Sequence, residues 1–373
     1  MLGFIYDLKE WLFWKQLLRK TRKNTQEVNI EKMNEPVDFV VLWVDDKDPE
    51  WKAEKEKYQR QIGIVKEHRD NGDERYRDWD LFRYWFRAVE KYAPWVRNVY
   101  LVTCGHVPEW LNLNAPKLKH IKHSDFIPQE YLPTFSSNPI EMNLHRIPGL
   151  SECFVYFNDD MFLCRDTVPE DFFRDGKPNC TAIAVPLRNR TNNAFDHMLF
   201  TARGAINNYF AGDIRRRIIN NPEKWFSAQY GDDRAYNIYA GRMGYLPGMH
   251  FTHLAAPLRK STYLKVWQNF PQLLDQTSMH RFRTAQDVLH IILTMWEILE
   301  GSFNPVSVKH HGMHFWDPPS QCEDIKKALL EKEYLSICIN DSENVSYEAF
   351  CRLKGELKTV METVLPEKCS FEI

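Results

Sequence analysis

Two short apolar runs, each broken off by a cluster of acidic residues, most constrain what this chain can fold into. The first is Val37-Asp38-Phe39-Val40-Val41-Leu42-Trp43-Val44, stopped by Asp45-Asp46-Lys47-Asp48-Pro49. The second, Cys153 to Phe157, runs into Asn158-Asp159-Asp160. Both are rich in β-branched and aromatic residues and are short, so each reads as a buried strand. Further strands are expected at 98–103 and near 118–122, and the apolar run 334–339 ends in Asn340-Asp341. Between them, the charged stretch 50–70, the run 81–92 and residues 139–147 read as helices. Strands alternating with helices predict an α/β sheet. Ligands of such sheets bind beyond the carboxyl ends of the strands, where both acidic clusters fall. The second half reads as more helical, with Thr284–Glu300 and a terminal helix Tyr347–Val364. The expected architecture is a Rossmann-like or GT-A-like mixed sheet flanked by helices, with a more helical C-terminal half. Residues 1–36 read as a basic amphipathic segment plus a linker ending at Pro36, and 37–373 as one domain.

Composition narrows the class. A chain of 373 residues, 43% apolar with 12 Trp and 23 Phe, can bury a large core. Its net charge of -2 argues against a nucleic-acid partner. The eight cysteines include no C-x-x-C pair, so reduced thiols in a cytoplasmic protein are expected. No apolar run reaches the roughly 18–20 residues that span a bilayer. Trp11-Leu12-Phe13-Trp14 and Leu17-Leu18 are interleaved with charges, and Lys15, Arg19, Lys20, Arg22 and Lys23 make the segment basic. Such a helix either lies on an anionic membrane surface or docks its apolar face on protein. A peripheral membrane contact through residues 1–23 and a place on the cytoplasmic face are the expectations carried forward.

Several residues are suited to chemistry. Adjacent carboxylates such as Asp159 and Asp160 repel one another, and a divalent cation relieves that repulsion. The bland alternative is a β-turn, which Asn and Asp favour. Asp45 and Asp48 follow the first strand, where a solvated turn ending in Pro49 is again the bland reading. A phosphate-bearing substrate also needs cations. Arg83 and Arg87 lie four apart on one helix face, His145 and Arg146 precede the second acidic run, and His253, Arg259 and Lys260 share a loop-like stretch. Arg281 and Arg283 precede another helix. Thr284-Ala285-Gln286-Asp287 resembles a capping box. His310, His311 and His314 lie near Gly312 and Pro318-Pro319, which makes a loop more natural than a zinc-binding helix. No G-x-x-x-x-G-K-[ST], G-x-G-x-x-G or G-x-S-x-G motif is present, which removes support for three common enzyme classes.

Taken in order, these clusters resemble the Stealth family of sugar-phosphate transferases. The first family block resembles Phe39 to Pro49, with Asp46 where the family often has Gly. The second covers Arg83-Tyr84-Trp85-Phe86-Arg87, Glu90 to Val96, Val107 to Leu111, Leu132 to Ser137, Glu141, Leu144 to Leu150 and Asn158-Asp159-Asp160. The family often has His at the position of Asn138. The third resembles His253 to Lys260 and the fourth Cys338 to Ser342. The resemblance implies a single catalytic domain that moves a hexose- or N-acetylhexosamine-1-phosphate from a UDP-sugar to a glycan hydroxyl, releasing UMP. The acceptor would be an oligosaccharide or lipid-linked glycan in capsular or cell-wall polysaccharide synthesis. For that reaction, chemistry assigns the roles: Asp159 and Asp160 are expected to hold Mg²⁺ or Mn²⁺. Asp48, Arg83, Arg146, Asn158, Asn340 and Asp341 would then hold donor and phosphate, and Asp45, His145, His253 and Arg283 would be catalytic, with either histidine as the general base. Two other readings are an ordinary GT-A glycosyltransferase that releases UDP, and a non-catalytic glycan-binding or assembly protein whose aromatic residues line a groove.

Overall fold

The run after Pro36 becomes the middle of a five-stranded sheet. The computed structural model describes residues 2–22, 33–63, 76–188, 194–341 and 345–373. Its strands are β1 (Val37–Leu42), β2 (Val99–Thr103), β3 (Leu118–Lys122), β4 (Cys153–Phe157), β5 (Met161–Leu163), β6 (Phe173–Arg174), β7 (Lys177–Cys180), β8 (Ala256–Arg259), β9 (Asn304–Pro305), β10 (Met313–Phe315) and β11 (Ser336–Ile339). The main sheet runs β3-β2-β1-β4-β8. Its first four strands are parallel, and β8 is antiparallel to β4. A small sheet β10-β11-β5 stands beside it, and β6-β7-β9 forms a third.

The apolar strands are buried on both faces, as parallel strands covered by helices must be. Side chains alternate between two cores with period two. Val40, Leu42, Tyr100, Val102, Phe154 and Tyr156 enter one. Phe39, Val41, Val99, Leu101, Val155 and Phe157 enter the other. The second core is closed by helix Phe82–Tyr92, through Trp85, Phe86 and Val89, and by Leu357 and Met361 of the terminal helix Tyr347–Val364. The first is closed by helices from the second half, including Ala194–Tyr209 and Ile291–Glu300. The α/β architecture and the helical second half are as expected.

Some boundaries differ for identifiable reasons. The helix expected over 50–70 spans Pro49–Gln61, and 64–70 lie outside the described residues, as do 24–32 of the expected linker. The stretch 139–147 becomes helix Ser137–Asn143 followed by a tight turn, Leu144–Arg146. The helix expected from Thr284 begins only at Ile291. The Asp287 carboxylate accepts hydrogen bonds from the Thr284 amide at 3.0 Å and hydroxyl at 2.9 Å and from Asn138 Nδ2 at 2.9 Å, and it pairs with His280 at 2.6 Å. These bonds hold the segment ahead of the helix in a turn. The N-terminal helix Leu2–Arg22 docks on the fold through Trp14, which is 1% exposed and belongs to the first core.

Candidate active site

Topology brings four distant segments to one edge. β1 and β4 are parallel neighbours, so Asp45 and Asn158-Asp159-Asp160 leave the sheet at the same, carboxyl edge. β8 runs the other way and pairs Ala256 with Tyr156, so the residues before it, His253 to Ala255, reach that edge too. Immediately after Asp160 the chain turns into β5, which pairs with β11. The Ile339 amide donates to the Asp160 carbonyl at 2.9 Å, and Asn340-Asp341 follow at once. β10 places His314 opposite Cys338.

The side chains form a continuous polar chain. The Tyr156 hydroxyl lies 3.1 Å from Glu141 Oε1 and 2.5 Å from Asn158 Oδ1. Asn158 Nδ2 donates to His253 Nε2 at 3.2 Å. An amide N–H can only donate, so His253 Nε2 accepts and the ring is neutral in this arrangement. The same nitrogen stands 3.8 Å from Asp160 Oδ2. Burial, helped by the positive potential of His314 and His290, pushes His253 down to about 3. Its ring centroid is 5.4 Å from that of His314. Behind it, Glu141 Oε2 pairs with His290 Nδ1 at 2.9 Å, both buried.

The acidic residues are under strain of charge. Asp159 keeps exposed surface at the mouth of the site, yet the protein packed around it strips enough water to push its carboxyl up to about 8, with Asp160 and Asp78 adding repulsion. Burial likewise raises Asp160 to about 6; the Cys338 thiol tempers the rise and the nearby Asp341 charge adds to it. Asp160 Oδ1 has no hydrogen-bond partner. Asp46 is also raised by burial, and Asp78 repels it as well as Asp159. One donor atom each from Asp160, His253 and Cys338 lies within 4.8 Å of the others. A buried, unpartnered carboxylate oxygen beside a second raised carboxyl and an imidazole lone pair suits a divalent cation. A donor set that includes nitrogen suits manganese better than the all-oxygen preference of magnesium.

The remaining sequence candidates divide. Arg283 acts on both Glu141 and His253, lowering the pKa of each, so it belongs to this site. Asp341 is held by Arg77 at 2.6 and 2.7 Å, and Asn340 donates its amide to Phe315. Asp45 accepts from the Lys47 amide, and its own amide donates to His106 Nε2 at 2.9 Å. Asp48 caps helix Pro49–Gln61, accepting from Glu50 and Trp51. Arg83 lies over the Trp110 ring at 5.5 Å, and its Nε is buried with no hydrogen bond. His145 and Arg146 stand elsewhere: His145 stacks on Tyr263 at 5.1 Å, and Arg146 bonds Asn143 and covers Trp267. Among the described residues no contact joins either to Asp159, Asp160 or His253. Arg87 and Arg259 are bound to Glu372 and Glu297, and His310 and His311 to main-chain carbonyls. Sequence reasoning missed Arg77, Asp78, His106 and His290. Arg77, Asp78 and His106 lie near acidic or strand-end segments, but nothing in their spacing marks them, and His290 is marked only by its fold neighbour Glu141.

Comparison with known proteins identifies the family. Three regions match models of Stealth conserved regions: residues 35–63 the first, 75–180 the second and 252–290 the third. The chain is 40% identical over 336 residues to a Streptococcus pneumoniae protein named capsular polysaccharide phosphotransferase WcwK, covering 90% of this chain and 98% of that one. It is 38% identical over 343 residues to the receptor polysaccharide phosphotransferase WefC of Streptococcus gordonii, covering 91% and 100%. It is 36% identical over 350 residues to the exopolysaccharide phosphotransferase cps2G of Lactiplantibacillus plantarum, covering 90% and 96%. The matched regions carry Asp45, Asn158-Asp159-Asp160, His253 and Arg283, the residues the fold gathers at the carboxyl edge of its sheet, and the chain belongs to the Stealth family.

Proposed function

We propose that this chain is a phosphotransferase of capsular or exopolysaccharide synthesis that moves a sugar-1-phosphate from a UDP-sugar to a glycan hydroxyl. The relatives' names support the reaction class and the setting. The carrying observation is the juxtaposition of Asp160, next to Asp159 in the chain, with the neutral His253 imidazole at the edge where ligands of open sheets bind. In the reaction the acceptor oxygen forms a bond to the sugar-bearing phosphorus. The bond from that phosphorus to the UMP oxygen breaks, UMP leaves, and the sugar's own C–O bond stays intact. The acceptor's proton goes to a base, and His253 Nε2, kept neutral by the Asn158 amide and 3.8 Å from Asp160, is the candidate for it. Asn158 orients the ring, and Tyr156 and Glu141 orient Asn158. Arg283 contributes positive potential to the same space, which suits a diphosphate.

Asp159 and Asp160 would hold Mg²⁺ or Mn²⁺, with His253 as the competing nitrogen donor. Such a cation acts as a Lewis acid and a template for the phosphate oxygens. The enzyme would work on the cytoplasmic face, where it meets the nucleotide-sugar and a lipid-linked or oligosaccharide acceptor. Among the described residues no helix is long and apolar enough to cross a membrane.

The test is a panel of UDP-sugars incubated with oligosaccharide acceptors and either cation. Release of UMP with a phosphodiester in the ³¹P NMR spectrum is the expected result. Release of UDP without a diester would make the protein a glycosyltransferase, and no turnover with any donor would favour a glycan-binding role.

A further inference from the structure

The N-terminal helix Leu2–Arg22 is fixed to the fold by one face and presents a different face to solvent. Trp14 is the peg. Its ring packs against Gly241, where a Cβ would stand 2.3 Å away, and against Phe226 at 6.2 Å between centroids. Arg215 lies over the same ring at 5.3 Å and pairs with Glu10 at 2.6 Å, and Trp14 Nε1 donates to Glu10 at 2.9 Å. Leu17, Leu18 and Thr21 continue this face inward. The Glu10 charge is thereby answered within the protein.

Around the helix the outward residues also repeat with helical spacing. Leu8, Trp11, Leu12, Lys15 and Arg19 fall on one flank. Leu8 and Trp11 are each 47% exposed and Leu12 is 43% exposed, which is unusual for three large apolar side chains in succession along one flank. Lys15 Nζ lies 4.2 Å from the Trp11 ring, and Arg19 follows one turn later. The helix that receives Trp14, Tyr236–Met243, exposes a second stripe at the same kind of spacing: Tyr236, Tyr239 and Met243. Asp232 and Asp233 precede that helix, and Arg242 lies within it.

We propose that this flank docks on an anionic lipid bilayer, with Trp11, Leu8 and Leu12 entering the headgroup boundary and Lys15 and Arg19 meeting lipid phosphates. The occupant follows from the chemistry. Here the outward apolar residues are followed along the same flank by two cations in successive turns, the pattern of a helix lying in an anionic interface. Trp and Lys are suited to that depth, since each has an apolar body and a polar tip. The proposal deepens the functional reading, which needs the enzyme beside its acceptor, but its contacts are independent of the transfer chemistry.

The test uses the whole protein in flotation with vesicles of phosphatidylcholine alone, or of phosphatidylcholine and phosphatidylglycerol in roughly equal parts. Binding to the anionic vesicles only, weakening as salt rises, is the expected result. Lys15→Glu with Arg19→Glu should lower partitioning about tenfold or more. Trp11→Ser with Leu12→Ser should lower it comparably, with the circular dichroism spectrum unchanged because Trp14 is left in place. Equal binding to neutral vesicles, no binding to either, or variants that bind like the parent would overturn it. So would a concentration-dependent dimer that the same apolar variants abolish. Turnover with a soluble acceptor is measured alongside, so that loss of vesicle binding and failure of the transfer reading are read separately.

Discussion

Replacing Glu141 by Gln keeps its shape and removes its charge, and the structure sets the size of the effect. The carboxylate is buried, pairs with His290 at 2.9 Å, accepts from the His290 amide at 3.3 Å, and lies 3.1 Å from the Tyr156 hydroxyl. Burial opposes ionisation, but the His290 partner wins and takes the carboxyl from its ordinary 4.5 down to about 2. A depressed carboxyl contributes stability that is present above the unfolded-state value and is lost as pH falls through the folded one. A drop of this size is worth roughly 3 kcal/mol at pH 7 and roughly 1 kcal/mol at pH 3. The penalty for breaking a buried ion pair is of the same order, about 3–5 kcal/mol. Urea unfolding of Glu141→Gln beside the parent should therefore show a gap of about 3 kcal/mol at pH 7 that narrows by about 2 as pH falls to 3. Turnover should fall as well, since the charge that fixes the direction of the hydrogen bonds from Glu141 through Tyr156 to Asn158 is removed. A gap that stayed constant from pH 7 to pH 3, or a variant as stable as the parent at pH 7, would refute the ion-pair reasoning.

His253→Gln should abolish transfer, whereas His145→Gln should retain it, measured as nucleotide release per enzyme, because only His253 touches Asn158 and Asp160. Asp160→Asn should leave the thermal midpoint near the parent's while turnover falls by two orders of magnitude or more, on the order expected for removing an electrostatic catalyst. Gly312→Ala should lower the thermal midpoint by several degrees in calorimetry, since at φ +132 its Cβ would stand 1.7 Å from the Ser336 carbonyl oxygen and part β10 from β11. Trp14→Ala should cost about 3–5 kcal/mol in urea unfolding and expose the N-terminal helix to limited proteolysis.

The parts of this molecule that were legible in the sequence are those whose signal is local. β1 and β4 announce themselves because β-branched and aromatic runs are cut by Asp, which sheets disfavour. The terminal helix Tyr347–Val364 agrees with its apolar periodicity to the residue. Signals failed where side chains answer to distant partners. The turn before Ile291 looked like a helix because Thr284 and Asp287 mimic a capping box, but Asn138 and His280 claim that carboxylate from elsewhere in the chain. Strands of two to four residues such as β5 and β11 carry too few residues for a period to register. Arg77 reads as one more charge in a charged stretch, and only folding brings it against Asp341.

The two histidines show most clearly what a sequence leaves open. His145 and His253 are both followed by basic residues and both lie in family blocks, so residue type cannot rank them. The direction of one strand can. Because β8 is antiparallel to β4, the residues before it, including His253, arrive at the acidic carboxyl edge. The residues after it arrive at the opposite end, where the Lys260 amide donates to Glu152 ahead of β4. There Lys260 and Arg146 lower the pKa of His145 further than burial alone. Had β8 run parallel, Lys260 would stand beside Asp159 and His253 beside Arg146. The antiparallel strand thus divides the two histidines: His253 stands with Asp160 at the carboxyl end of the sheet, and His145 with Lys260 and Arg146 at the other.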